Sequence, residues 1–524
     1  MSNRIIRFRS EYLLILLVVI GGLAAWMLKT ATPYGLGLRN DSAQYIFGAR
    51  NLLAGNGYMR TSGGGELKPI TTVPPAFSTA IAAVSLSGLE AMRSARFLII
   101  ALLGLDVILL GYLVYRLTRS VGLALAAGAL FGCSVVILDN FAWMMSEPLF
   151  VFIWLACFIL FDRYVKSRRK LWLVVLGFLC GVAYLTRYIG ITLPVTFGLV
   201  LVIFEPGLKP KLISVSCLVL PFLPFVAGWA IRNTLLIGNP ANRTFLSHIV
   251  TPEKIQYGID NFWDWLLPNS LADILAKNQY SIHILFYILF GLFLAGTCYA
   301  IVRMFRQRAT QTRTAAISLG LLAVALYGLV YPIMTLFSMS FVDASTILDH
   351  RLLIPFYLVV LILFMAGLAW LFARQAVIWK VVTVLVILTS VGVTGWEGWQ
   401  EVKTLEQNGL GFNSLGVKES PTIRYIEQMP PGILYTNKAY MVYIITDRLA
   451  YMLTGPTDPV TTLEREHSGA EMAAMRQAVI EGTAYLVYFK DEGYATEAWY
   501  LALTAGLRPI EEFSDGIIFK GAQE

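Results

Sequence analysis

The chain has 524 residues, 57% of them hydrophobic and 14% charged, with a mean hydropathy of +0.66. A soluble domain carries roughly 25% charged residues, so a soluble globular fold is excluded and long apolar runs point to a polytopic membrane protein. The formal net charge is +8, but the basic residues fall in short loops between apolar runs, which is a topogenic pattern and not a nucleic-acid footprint.

The first apolar run, Tyr12–Lys29, follows Arg4, Arg7 and Arg9. At about 18 residues it exceeds a signal-peptide core, and it reads as a retained anchor whose start is cytoplasmic. Residues 30–96 then form a first extracytoplasmic loop. Within it, Leu38–Tyr58 reads LRNDSAQYIFGARNLLAGNGY. Asp41-Ser42 is a plausible N-cap, and the helical pattern stops at Gly55-Asn56-Gly57. The segment Ala76–Leu89 follows Pro74-Pro75. It is about 14 residues long, too short to span, and is expected to be interfacial or re-entrant.

The remaining runs are Phe97–Tyr115, Val121–Leu138, Glu147–Phe161, Leu171–Thr186, Gly190–Phe204, Leu212–Ala230, Ile284–Ile301, Ala315–Phe337, Leu352–Phe372 and Val377–Gly395. With the anchor they make about eleven spans. Inner loops then hold Arg116/Arg119, Arg163/Lys166/Arg168/Arg169/Lys170, Lys209/Lys211, Arg303/Arg306/Arg308/Arg313 and Arg374/Lys380. The outer face carries 30–75, 139–146, 231–283, 338–351 and the tail. Trp263, Trp265 and Tyr257 read as interface anchors, with a sugar platform as the second reading. The expected fold is therefore an all-α polytopic bundle over 1–400. A small extracytoplasmic α/β domain over 401–524 completes it. In that domain Gly432–Thr436, Ala484–Phe489 and Asp515–Phe519 read as strands, and Ala470–Ile480 and Thr496–Ala505 as helices. The five cysteines form no CxxC and read as small buried residues.

Four charged positions at the outer rim could carry chemistry. Asp41 is either a helix cap or a general base or cation ligand. Glu147 sits in Ser146-Glu147-Pro148 at an outer helix start. It is either dipole-favoured or the second acid beside Asp41. Arg187 lies in an outer turn and either snorkels or holds a phosphate. His350-Arg351 opens another outer helix, where a cation opposes the dipole and Asp349 is the ordinary partner. Tyr45, Lys68 and Arg60 are loop or acceptor candidates. Asp106 reads as a bundle-internal polar contact and Asp139 as a cap.

These residues also carry a resemblance. An acid just after the first span in Asn40-Asp41-Ser42-Ala43-Gln44-Tyr45 is followed by Ala49-Arg50-Asn51-Leu52-Leu53-Ala54-Gly55-Asn56-Gly57-Tyr58 and Pro74-Pro75. Further on come Ser146-Glu147-Pro148-Leu149-Phe150, Leu185-Thr186-Arg187 and Arg351-Leu352-Leu353-Ile354-Pro355-Phe356. Together they resemble the GT-C membrane glycosyltransferases, and more narrowly the protein O-mannosyltransferase and aminoarabinose-transferase-like branch. The resemblance implies inverting transfer of one sugar from a polyprenyl-phosphate donor to a protein, glycan or lipid acceptor at the outer face of the plasma (inner) membrane. It implies Asp41 as acid/base and Glu147 as second acid, with Arg187 and Arg351, and His350 beside them, near the donor phosphate. Ser42 stands where protein mannosyltransferases often have the second residue of an Asp-Glu pair, and Thr72-Val73 where aminoarabinose-type members often have Glu-Lys. No cofactor is implied beyond a divalent metal on Asp41 and Glu147. The competing expectations are a transporter or flippase and an anchoring protein that works through its tail.

Overall fold

In the computed structural model, residues 2–267, 279–306, 313–490, 495 and 497–522 are described. Arg308 of the predicted inner clusters, residues 268–278 of the predicted outer segment, and Thr496 at a predicted helix start lie outside them. The chain is a multi-pass membrane protein. Among the described residues eight helices are long and apolar enough to cross a bilayer, or nine when one bent pair counts as a span. They belong to α1 (Ser2–Ala31), α4 (Ala91–Thr118), α7 (Glu147–Ser167), α10 (Leu208–Ile237), α12 (Gln279–Arg306), α13 (Arg313–Phe341), α14 (His350–Phe372) and α15 (Val377–Asn408). The other two of the predicted eleven are the shorter apolar helices α8 (Leu171–Thr186) and Tyr188–Phe204, the latter a 3-10 turn running into α9 (Thr192–Phe204).

The bent pair is α5 (Val121–Cys133) and α6 (Val135–Ala142), which meet at 51°. The sequence suggests one continuous span here. The structure breaks it at Ser134, whose ψ of 130° is extended. Gly398 of α15 presses on the Cys133 carbonyl at that break, so closely that a Cβ there would overlap it. The turn sends α6 toward the mouth of the bundle.

Small residues let the spans approach. Gly21 of α1 and Gly104 of α4 lie backbone to backbone, and Gly132 sits against Ala24. Asp106 of α4 is fully buried, but the expected polar contact is not found: neither carboxylate oxygen has a hydrogen-bond partner among the described residues. Trp263 and Trp265 belong to α11 (Pro252–Leu266) and are not headgroup anchors. Trp263 is buried beside Phe262, and Trp265 packs edge-on against Tyr357, because the helix folds its aromatic face onto α14. Tyr257 is exposed.

Charge separates to the two ends of the bundle. At one end Asp162 pairs with Arg116 and Lys166, and Glu205 pairs with Arg168. Asp162 lies near the end of α7, and Glu147 starts it. At 1.5 Å per residue those acids stand about 22 Å apart along the axis. The Glu147 end carries α2 (Asn40–Leu53), the hairpin β1–β2 (Met59–Thr61 and Leu67–Pro69), the short α3 (Ala76–Ser85) and the C-terminal region.

That region holds a five-stranded mixed sheet in the order β4-β3-β5-β7-β6. The strands are β3 (Ile433–Thr436), β4 (Tyr451–Met452), β5 (Ala484–Phe489), β6 (Leu507–Glu512) and β7 (Gly516–Ala522). Three predicted strands and both predicted helices are present. The two edge strands, β4 and β6, are additional: β4 has two residues, and β6 is mostly exposed and reads as polar. β5 is buried at every position, which explains its continuous apolar run.

One clamp joins this region to the bundle mouth. Gly37 exchanges backbone hydrogen bonds with Ala142 and Met144 at 2.8 and 2.9 Å. Phe412 N–H donates to the Leu38 carbonyl at 3.1 Å, and Asn413 Nδ2 donates to the Leu36 carbonyl at 2.7 Å. The stretch just before Asp41 is thereby held between the α6–α7 turn and the end of α15.

Candidate active site

Helix α2 begins two residues earlier than a cap at Asp41 would place it. Arg39 is the capping position, and its N–H donates to Ser42 Oγ at 3.0 Å. Ser42 thus closes the first turn, and Asp41 sits within that turn, where the helix dipole favours a carboxylate. Its side chain is 46% exposed, unlike the other acid of the site.

Glu147 lies at the N-terminus of α7 with its side chain 4% exposed. Two guanidinium groups neutralise it. Arg187, in the turn after α8, forms an ion pair with it, and Arg351 Nε stands 3.2 Å from Oε1. Arg351 also reaches Asp349 at 3.5 Å and, through Nη1, Asp41 at 3.9 Å. Asp349 caps α14 by accepting from Leu352 N–H at 2.9 Å, so the cation at that helix start is offset by its own neighbour. Burial disfavours charge on Arg187, but Glu147 more than restores it, and the guanidinium remains fully protonated.

Asp41, Glu147, Arg187 and Arg351 therefore converge from α2, α7, the α8–α9 turn and α14, four elements far apart in sequence. Tyr45 joins them, donating to Ser146 Oγ at 3.2 Å and packing edge-on against Phe77. Burial, then the charges of Asp41 and Glu147, push its phenol well above the ordinary range, so it serves only as a neutral hydrogen-bonding group.

His350 does not join the cluster. It turns into a narrow pocket with Trp265, Asn261 and Tyr357. Asp139 lies inside α6 and not at its start, so it is no cap; it faces Arg39, His350 and Trp143. Arg60 and Lys68 also stand apart, on the β1–β2 hairpin facing the C-terminal region.

Sequence reasoning missed Arg39 and Tyr331. Arg39 lies 3.6 Å over the Trp143 ring, and burial followed by the Arg351 charge pulls its pKa down. Its signal was adjacency to Asp41. Tyr331 donates to the Leu352 carbonyl at 2.7 Å and holds the start of α14. It sits inside an apolar run and gave no signal.

A metal bridged by Asp41 and Glu147 does not fit this donor set. Glu147 already faces two arginines, whose charges would oppose a divalent cation. Among the described residues no three His, Cys, Asp or Glu side chains are placed to hold a metal ion.

No protein-family model matches the sequence, and no curated protein does. Solved structures do match the fold. The structure of ArnT from Cupriavidus metallidurans bound to undecaprenyl phosphate aligns over 97% of this chain and 99% of its own, at 16% identity and a TM-score of 0.55. The archaeal oligosaccharyltransferase AglB from Archaeoglobus fulgidus, in complex with an inhibitory peptide and a dolichol-phosphate, aligns over 94% of this chain and 71% of its own, at 12% identity and a TM-score of 0.54. The mycobacterial arabinofuranosyltransferase AftD aligns over 97% of this chain but 42% of its own, at 13% identity and a TM-score of 0.53. The chain has the GT-C fold of membrane glycosyltransferases.

Proposed function

We propose that this protein is an integral-membrane glycosyltransferase. It moves one sugar from a polyprenyl-phosphate donor to an acceptor hydroxyl at the outer face of the plasma membrane, with inversion. The observation that carries this reading is the half-exposed Asp41 carboxylate 3.9 Å from Arg351, itself anchored on the buried Glu147. A base and a cation stand side by side at the mouth of a lipid-embedded bundle.

Asp41 takes the proton of the acceptor hydroxyl as its oxygen bonds to the anomeric carbon. The bond from that carbon to the phosphate oxygen breaks, and the phosphate leaves with the electron pair. Arg351 and Arg187 stabilise the charge that develops there, because both are cations held rigid before the reaction. Glu147 is too enclosed to touch an acceptor, so it acts through the arginines as a positioning residue. The polyprenyl carriers in the ArnT and AglB structures support the donor class. The basic end of the bundle, around Asp162 and Glu205, faces the cytoplasm.

The test is complementation of a deletion strain with wild type or Asp41→Asn, both quantified in the membrane. Mass spectrometry of surface glycans, glycolipids and glycoproteins should show a one-sugar increment with wild type. Asp41→Asn should lower it by about 100-fold or more, the usual contribution of a general base. An undiminished increment would overturn the assignment. Solute counterflow in proteoliposomes, with no sugar transferred, would instead establish a transporter.

A further inference from the structure

Away from the acid–arginine cluster, a cleft of about 250 Å³ lies between the β1–β2 hairpin and the C-terminal region. Its walls carry Arg60, Lys68 and Ser62 on one side and Tyr440, Tyr443 and Tyr451 on the other. Arg60 and Lys68 are directly opposed across the hairpin. Opposed residues of an antiparallel pair share a face, and like charges there are destabilising. The surroundings offset this only in part. Arg60 donates to the Tyr440 hydroxyl at 2.9 Å, and Lys68, 54% exposed, has Glu66 at 3.8 Å. Ser62 Oγ is buried in the same wall with no hydrogen-bond partner among the described residues. Aromatic rings, two cations and an open hydroxyl suit a sugar ring bearing an anion. Pockets for drug-sized ligands start at roughly 300 Å³, so the volume fits a single residue and not a long chain.

The cleft is tied to the proposed base. Phe47 forms part of its wall and stacks on Tyr443 with ring centroids 4.9 Å apart. Phe47 and Asp41 are both on α2, and six residues of helix rise place them about 9 Å apart along its axis. We propose that this cleft binds an anionic sugar residue, phosphate- or carboxylate-bearing, of the acceptor and sets its register against Asp41. The acceptor role of that ligand rests on the glycosyltransferase reading; the binding itself does not.

The experiment is titration of the detergent-solubilised full chain with a hyaluronan tetrasaccharide, mannose 6-phosphate and neutral chitotetraose. At least one charged probe should bind ten-fold or more tighter than chitotetraose, and the tighter of the two identifies the anion. Lys68→Gln should weaken that binding about ten-fold and Lys68→Arg should restore it; the half-exposed site keeps both variants foldable. Asp41→Asn should leave it unchanged. Equal affinity for the neutral probe, no binding of either charged probe, or indifference to Lys68→Gln overturns the proposal. Charge-dependent binding in a protein whose Asp41→Asn variant still transfers sugar would sink the catalytic reading and leave the cleft standing.

Discussion

Replacing Glu147 with Gln keeps the volume and removes the charge. The Glu147 side chain is 4% exposed, Arg187 19% and Arg351 29%. Breaking a buried ion pair from one side costs about 3–5 kcal/mol, because the partner charge stays buried and uncompensated. Arg351 keeps Asp349 at 3.5 Å and Asp41 at 3.9 Å, so the cost falls mainly on Arg187. Glu147→Gln should therefore lose about 3 kcal/mol, the lower end of that range. Adding Arg187→Gln removes the stranded cation. The double variant should then be more stable than Glu147→Gln alone, with a coupling of about 1–3 kcal/mol in the double-mutant cycle. The assay is denaturant unfolding of the full chain in detergent, followed by intrinsic fluorescence. An unchanged Glu147→Gln midpoint, or a double variant at the simple sum of the singles, would refute this account of Glu147.

Arg351→Lys exchanges a planar fork for a point charge, and the fork is what reaches Glu147 and Asp41 together. Affinity for undecaprenyl phosphate, measured by native mass spectrometry, should fall about ten-fold, a loss of about 1.4 kcal/mol; unchanged affinity would remove Arg351 from the phosphate site. Gly411 has φ +55° and packs on Leu38 and Trp143, so Gly411→Val should disturb the clamp that aims α2. Left-handed backbone alone costs a non-glycine residue about 1–2 kcal/mol. Sugar transfer in membranes should drop while the inserted amount holds, and full transfer would show that the clamp does not aim Asp41. Orientation is read with a membrane-impermeant maleimide on intact cells. Lys68→Cys should label from outside and Lys209→Cys only after permeabilisation, and the reverse pattern would invert the topology.

The sequence by itself determined the bundle, the charge segregation and most of the C-terminal strands. Each follows from local pattern: a bilayer demands long apolar helices, and a fully buried strand such as Ala484–Phe489 must be apolar throughout. It also marked Asp41, Glu147, Arg187 and Arg351, since charges at the ends of apolar runs need a reason. Local pattern could not show that the span beginning at Val121 breaks at Ser134, because the packing of Gly398 on Cys133 is a long-range contact. Nor could it separate His350 from its neighbour Arg351, because successive residues of a helix point about 100° apart and only the packing decides which meets Glu147. Tertiary structure alone enclosed Glu147 between two arginines and left Asp41 open. The two acids thus differ in exposure and pairing because of their surroundings, which distant parts of the chain supply.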